Sequence, residues 1–417
     1  MMAAPIKKSS RRPTTRKLVS KAGTTATEQR LQEILNGAQC PHLLYLVPQP
    51  LKTELLRQIP GPAEIRRGRS LKMGDDEFSK LQSSLHRELN ETTVSLGDSG
   101  QQVSIARFFR HVACLMQLDR RCRQTSFRNA DEISRMIGEK FQLKQAYKSA
   151  KAALNELCLY CGLIYSWPET RLISITPVIQ NGLADRNFAG LAFVVEECYS
   201  EQQKFKLGDI VRPAFRIGLS CRNKQMNWLH LNQSLFENSP YSDEIKLPVY
   251  IQIHATNRMI QRLDIIDRKY FYLYLILALK SQKAFRYKQK TLIELSISGQ
   301  KAGYLVSAIV DDKILIKTFL LLSDHGTPEG DRAHQLCERH QVDMSQWNTD
   351  RLSTFSQSSL TSEHKPKSLV SSAGCHSLFQ ITPSSTAHPD RHHSTLALSQ
   401  LLQPAKQGKP KSLTASI

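Results

Sequence analysis

The chain has 417 residues, 40% of them hydrophobic, and a formal net charge of +20. That length allows two or three domains with cores of their own, and so basic a balance points to polyanions, RNA or DNA before a membrane surface. The longest apolar run, Tyr270 to Leu279, is ten residues, short of the ~20 that cross a bilayer.

No basic stretch followed by an apolar one opens the sequence, so a secretion leader is not expected. Nine scattered cysteines fit free thiols in a reducing, cytoplasmic setting better than a disulfide framework. Residues 1–24 hold Lys7, Lys8, Arg11, Arg12, Arg16, Lys17 and Lys21 and no carboxylate. With little apolar surface to offset ordering entropy, they read as a disordered basic arm, either a phosphate-binding tail or a solubilising end.

The stretch 25–237 reads as a mixed, helix-rich region. Helices are expected over Glu28–Leu35, over Leu51–Ile59 before the Pro60-Gly61-Pro62 breaker, and from Asp75-Asp76-Glu77 to Leu89, with a strand at His42–Val47. Ile105, Phe108, Phe109, Val112 and Leu115 form a helical stripe, with Arg107 and Arg110 off it. A helix capped by Asn129 and a longer one over Gln142–Leu159, carrying Lys144, Lys148 and Lys151, outline a helix-turn-helix reader or a plain packing pair. Cys158-x-x-Cys161 lacks the second pair that a zinc site needs and reads as two buried helix cysteines.

Beyond a subdomain break near 162, strands are expected at Leu163–Trp167, Leu172–Thr176 and Leu191–Cys198, with a turn at Asn181-Gly182. Gln225–Phe236 reads as an amphipathic helix through Trp228, Leu231 and Leu235. Asn238-Ser239-Pro240 then marks a linker, and a domain boundary is set between Phe236 and Lys246.

The module 246–355 reads as a strand (249–253), helices (254–264 and 268–281) and strands at 284–288, 291–297, 303–310 and 313–322. Hairpin turns fall at 299–303 and at Asp311-Asp312. The expected class is α+β, two helices packed on an antiparallel sheet, with loose chain ends. The helix at Tyr270–Leu279 is apolar enough to bury against the N-terminal region or to dock a protein partner. Thr327, Pro328 and Glu329 give a further helix start, and Trp347, Leu352 and Phe355 tuck the extension onto the module. From Ser356 to residue 417 the Ser/Thr/Pro/Lys-rich tail reads as disordered, except for a short helix at Thr395–Leu402.

The functional signal lies at the first helix of this module. His254, Arg258 and Arg262 are spaced i, i+4, i+8 and share one face, so an imidazole and two guanidinium groups would meet a phosphodiester there. Lys280, Lys283, Arg286, Tyr287, Lys288 and Lys290 interleave an aromatic ring with cations, a pattern that binds a phosphate backbone and stacks a base. A solvated charged rim explains the same residues. His325, His334 and His340 lack ligand spacing, so no metal is expected, and no nucleotide or cofactor fingerprint occurs.

The run His254-Ala255-x-x-Arg258-Met259-x-x-Arg262, with Gly303-Tyr304-Leu305-Val306 in the later sheet, resembles a small bacterial domain family of unknown function. Its layout is similar to the RelE-type ribonuclease toxins, over residues 249–322 only. The resemblance implies a metal-independent endoribonuclease in which His254 moves a proton and Arg258 and Arg262 stabilise the phosphorane. Lys317 and Tyr287 are further candidates by position. RelE-type toxins, however, are small stand-alone proteins, and this module follows other folded chain. Two alternatives stand beside the enzyme: a non-catalytic nucleic-acid-binding or regulatory protein, and a scaffold docking a partner on helix 270–279.

Overall fold

The computed structural model describes residues 29, 31–36, 40–57, 61–95, 102–141, 143–179, 191–220, 225–236, 245–357, 360 and 364–383. The basic arm, the Asn181-Gly182 turn, the 237–244 linker and the Thr395–Leu402 helix lie outside them. The fold is mixed α+β. It divides into two compact units, one of residues 1–63, 90–151 and 179–191, the other of 64–89, 152–178 and 192–417.

The elements used below are, in chain order, α1 (Asp75–Glu91), α2 (Ile105–Gln124), α3 (Ala130–Phe141) and α4 (Leu143–Ile164). Then come β1 (Gln202–Leu207), β2 (Ile210–Arg216), β3 (His230–Asn232), β4 (Lys246–Gln252), α5 (Ile253–Arg262) and α6 (Phe271–Ser281). Last are β5 (Ala284–Tyr287), β6 (Lys290–Ile297), β7 (Gln300–Val310), β8 (Lys313–Leu321) and α7 (Pro328–Arg339).

In the first unit α2 begins where expected and buries Ile105, Phe108, Val112 and Leu115, the sequence stripe. Its partner α3 follows Asn129, which adopts a left-handed φ of 77°. One expectation fails here. His42–Val47 is not a strand but a helical turn at Leu43–Leu46, closed by Val47 N–H to Leu43 C=O at 3.1 Å. A short apolar run fits either geometry, and sequence periodicity cannot separate them.

The second unit is built on an eight-stranded sheet, ordered β5-β6-β7-β8-β4-β2-β1, with β3 also paired to β4. The boundary expected between Phe236 and Lys246 falls inside it. β4 is a central strand, bonded antiparallel to β2 (Ile251 opposite Phe215) and parallel to β8 (Ile251 opposite Ile316). The expected antiparallel sheet is therefore mixed. The two helices after β4 and the meander β5–β8 return the chain alongside β4 in its own direction.

Three two-residue turns drive that meander, each with left-handed φ at both central positions: Lys288-Gln289, Ser298-Gly299 and Asp311-Asp312. Their twist matches the twist of paired strands. The third falls where composition places it; the second turns at 298–299, ahead of the expected 299–303, where the strand has already begun at Gln300; the first has no Gly, Asn or Asp to mark it.

Two more assignments change for tertiary reasons. Leu163–Trp167 is no strand, because α4 runs on to Ile164. Gly162 does not stop the helix; a side chain there would begin 2.8 Å from the Ile173 carbonyl oxygen, so glycine admits the neighbouring strand. Gln225–Phe236 has helical apolar spacing yet forms strands Met226–Trp228 and His230–Asn232 and a 3₁₀ turn. Pairing of Trp228 with Gly218 and of His230 with Pro248 overrides the local pattern.

Helix α6 buries Phe271, Tyr272, Leu273, Tyr274, Leu275, Ile276, Ala278 and Leu279 within its own chain. Packing in the core thus accounts for its apolarity, with Leu277 alone of the apolar residues 271–279 left part-exposed. The tail expectation also needs correction. Residues 364–380 form helical turns that bury Val370, Cys375 and Leu378, and Phe379 meets Phe355 edge-on at 5.3 Å. A few apolar residues among Ser and Lys suffice, and average composition hides them.

Candidate nucleic-acid interface

Strand β4 ends at Gln252 and α5 starts at the next residue, so the strand–helix junction fixes the site. His254 is exposed on the first turn and Arg258 is half-buried one turn on. Arg212, on β2, lies close enough to His254 for its charge to act on the imidazole. Arg212 is the neighbour that sequence spacing missed, since 42 residues separate it from His254.

Burial lowers the His254 pKa, and the guanidinium groups of Arg258 and Arg212 lower it further. The imidazole is therefore neutral at pH 7, able to accept a proton from a bound group. Among the described residues neither Arg212 nor Arg258 has a carboxylate partner; Arg258 reaches only the Gln261 side-chain oxygen, at 3.5 Å. Two unpaired guanidinium groups beside a neutral imidazole match a phosphate in charge and in bidentate geometry.

Beneath the junction Gln252 is 1% exposed, and neither end of its amide has a partner among the described residues. A buried amide without partners is costly. Lys317 is level with it on β8. The β7–β8 register jumps from Val306–Thr318 to Ser307–Ile316, leaving Lys317 as the extra residue of a β-bulge. Bulges re-aim side chains and recur beside functional sites.

Arg262 does not join this group. It forms a buried ion pair with Asp324 and donates to the Asp350 carbonyl at 3.4 Å, while Leu352 N–H bonds the Arg262 carbonyl at 2.7 Å. Burial pushes Asp324 up to about 6 against the pull of Arg262. The helical face that collects three cations in sequence is thus divided, with His254 and Arg258 left open and Arg262 committed to the fold.

The basic strip is divided in the same way. Lys280 and Arg286 are exposed, with no carboxylate partner among the described residues, and Arg286 sits on the edge strand β5, where charge also guards against edge pairing. Lys283 lies 3.6 Å from Glu294. Tyr287 donates to Asp331 at 2.9 Å and Lys288 does so at 2.6 Å. Lys290 is exposed, and its ammonium is 3.2 Å from where a side chain on Gly326 would begin.

Asp331 is the hub that sequence reading passed over. It also accepts Gly326 N–H at 3.0 Å and lies 3.4 Å from His325, whose ring stacks on His334 at 3.6 Å. Burial opposes its charge, but hydrogen bonds from Lys288, Gly326, Tyr287 and His325 hold the carboxyl well below the usual range. Its only sequence cue was the density of polar and glycine residues in Ser323–Asp331.

Among the described residues no three His, Cys, Asp or Glu side chains are placed to hold a metal, and no helix is long and apolar enough to cross a membrane. No protein-family model matches the chain, and no curated protein or solved structure matches it.

Proposed function

We propose that this protein engages nucleic acid, clamping a backbone phosphate between Arg212 and Arg258 over His254, and that on RNA the site acts as a metal-independent ribonuclease. The observation that carries this reading is an exposed imidazole flanked by two guanidinium groups without carboxylate partners among the described residues. On RNA the imidazole takes the 2′-hydroxyl proton as that oxygen bonds to phosphorus. The bond to the 5′-oxygen then breaks, and that oxygen takes a proton from solvent, leaving a 2′,3′-cyclic phosphate and a 5′-hydroxyl. The two guanidinium groups hold the charge that grows on the phosphorane oxygens. The net charge of +20 brings the polyanion to the site. The setting is a reducing, bacterial-type cytoplasm, in keeping with eight free and mostly buried cysteines among the described residues.

One observation favours a non-catalytic binder or regulator instead. Both charged groups beside His254 are arginines, which keep their protons and cannot hand one to the leaving oxygen. An RNA-degradation assay with EDTA present, run beside a binding assay, separates the two readings. Cleavage by the wild type, lost in His254→Ala while binding persists, supports the enzyme. Binding that weakens in Arg212→Ala and Arg258→Ala, with no cleavage by any form, supports the binder. If neither RNA nor DNA binds at ~0.15 M salt, both readings fall.

A further inference from the structure

The unit that holds α2 carries a second group of basic residues. Arg107, Arg110 and His111 are spaced i, i+3 and i+4, so they share one face of the helix near its N-terminus. Side chains on a helix lean toward that end, which aims His111 back at Arg107. Ser104 caps the helix, its hydroxyl accepting Arg107 N–H at 3.4 Å, and the first turn contains no acidic residue. A cation such as Arg107 in that turn opposes the helix dipole.

Other groups fail to offset that charge. His111 is 8% exposed and its Nδ1 has no partner among the described residues; the Nε of Arg110 is buried and also unpartnered among them. Neither guanidinium has a carboxylate partner among the described residues. Carboxylates do reach α2, but at its far end. Glu54 pairs with Arg121, Asp119 with Arg123 and the Ser134 hydroxyl, and Asp131 lies beside Cys122. Those positions are about 18 Å further along the helix. Burial lowers the His111 pKa to about 4, with Arg107 and then Arg110 adding to it.

We propose that Arg107, Arg110 and His111 form a phosphate-binding site on α2, separate from the one at α5. A phosphate placed there takes bidentate hydrogen bonds from the guanidinium groups, completes the dipole, and gives the buried Nδ1 a partner once the imidazole is protonated. Inorganic phosphate and a nucleic-acid backbone offer the same chemistry.

The test follows the His111 ring resonances of the full chain through a pH titration, assigned by their loss in His111→Gln. It is run in chloride, in inorganic phosphate at equal ionic strength, and with a short oligoribonucleotide. The expected result is a midpoint well below that of ordinary histidine in chloride, rising by roughly one pH unit when phosphate occupies the site. A rise with inorganic phosphate means that a free anion suffices, and a rise with the oligonucleotide alone means that a polymer backbone is the ligand; both support the site. Arg110→Gln, or the exposed Arg107→Gln if the first unfolds, should remove the rise. A midpoint unmoved by either ligand overturns the proposal, as does a rise that both variants retain.

Discussion

The two ends of α5 treat arginine in opposite ways. At the C-terminal end Arg262 is 13% exposed, locked to Asp324, and tied through its carbonyl to Leu352. Nearer the N-terminal end Arg258 acts on the His254 imidazole and has no acid partner among the described residues. Identical side chains one turn apart on one helix thus take different roles. What separates them is the loop at 323–327, which delivers a carboxylate to one and nothing to the other.

The comparison breaks most sharply at Arg262. Arg262→Met leaves Asp324 buried without its partner and should cost about 3–5 kcal/mol in urea unfolding. The loss should shrink on acidification through about 6, where the carboxyl takes a proton. In the intact pair the folded state binds the proton more tightly than the unfolded chain does. Stability from this group therefore falls as pH rises from 3.8 to about 6, and Asp324→Asn should remove that slope. An Arg262→Met protein as stable as the parent would end the claim that this arginine is structural.

Next in size is Gly330→Ala. Its side chain would begin 2.1 Å from the Asp324 carbonyl oxygen, shifting the loop that holds the carboxylate and costing about 1–3 kcal/mol. Nucleic-acid affinity should change only if the two ends of α5 communicate.

The open end predicts the reverse pattern. Arg212→Gln with Arg258→Gln should leave the thermal midpoint within error and flatten the log–log salt dependence of RNA binding by about 0.7, the increment for the one phosphate they clamp on a single strand. An unchanged slope would take both arginines out of the interface. If RNA is cut, the wild-type rate should rise with pH through a midpoint below the ordinary 6.5 of histidine and then level off, because the lowered pKa keeps His254 neutral. The smallest effect is expected at the β5–β6 turn. Gln289→Gly relieves a left-handed φ of 61° and should stabilise by about 1 kcal/mol.

How much of this could be read in advance depended on whether the cause was local. The Thr327-Pro328 helix start, the α2 stripe and the Asp311-Asp312 turn each follow from residues within a few positions, and each is present. Arg212 acts on His254 across 42 residues, Asp324 on Arg262 across 62, and Asp331 on Tyr287 and Lys288 across 44 and 43, and no spacing rule links them to these partners. The Gln225–Phe236 strands were hidden for the same reason, since their pairing partners lie elsewhere in the chain. The i, i+4, i+8 spacing at α5 correctly placed the three side chains on one helix, but a helical face says nothing about which of them a distant acid will claim.

The central position of β4 has a consequence for how this protein can be cut. A fragment starting at Lys246 would keep β8 on one flank of β4 but lose β2 and β3, baring peptide groups along the other flank. Such a fragment should recruit a second copy of itself or precipitate. This module depends on strands borrowed from the chain before it.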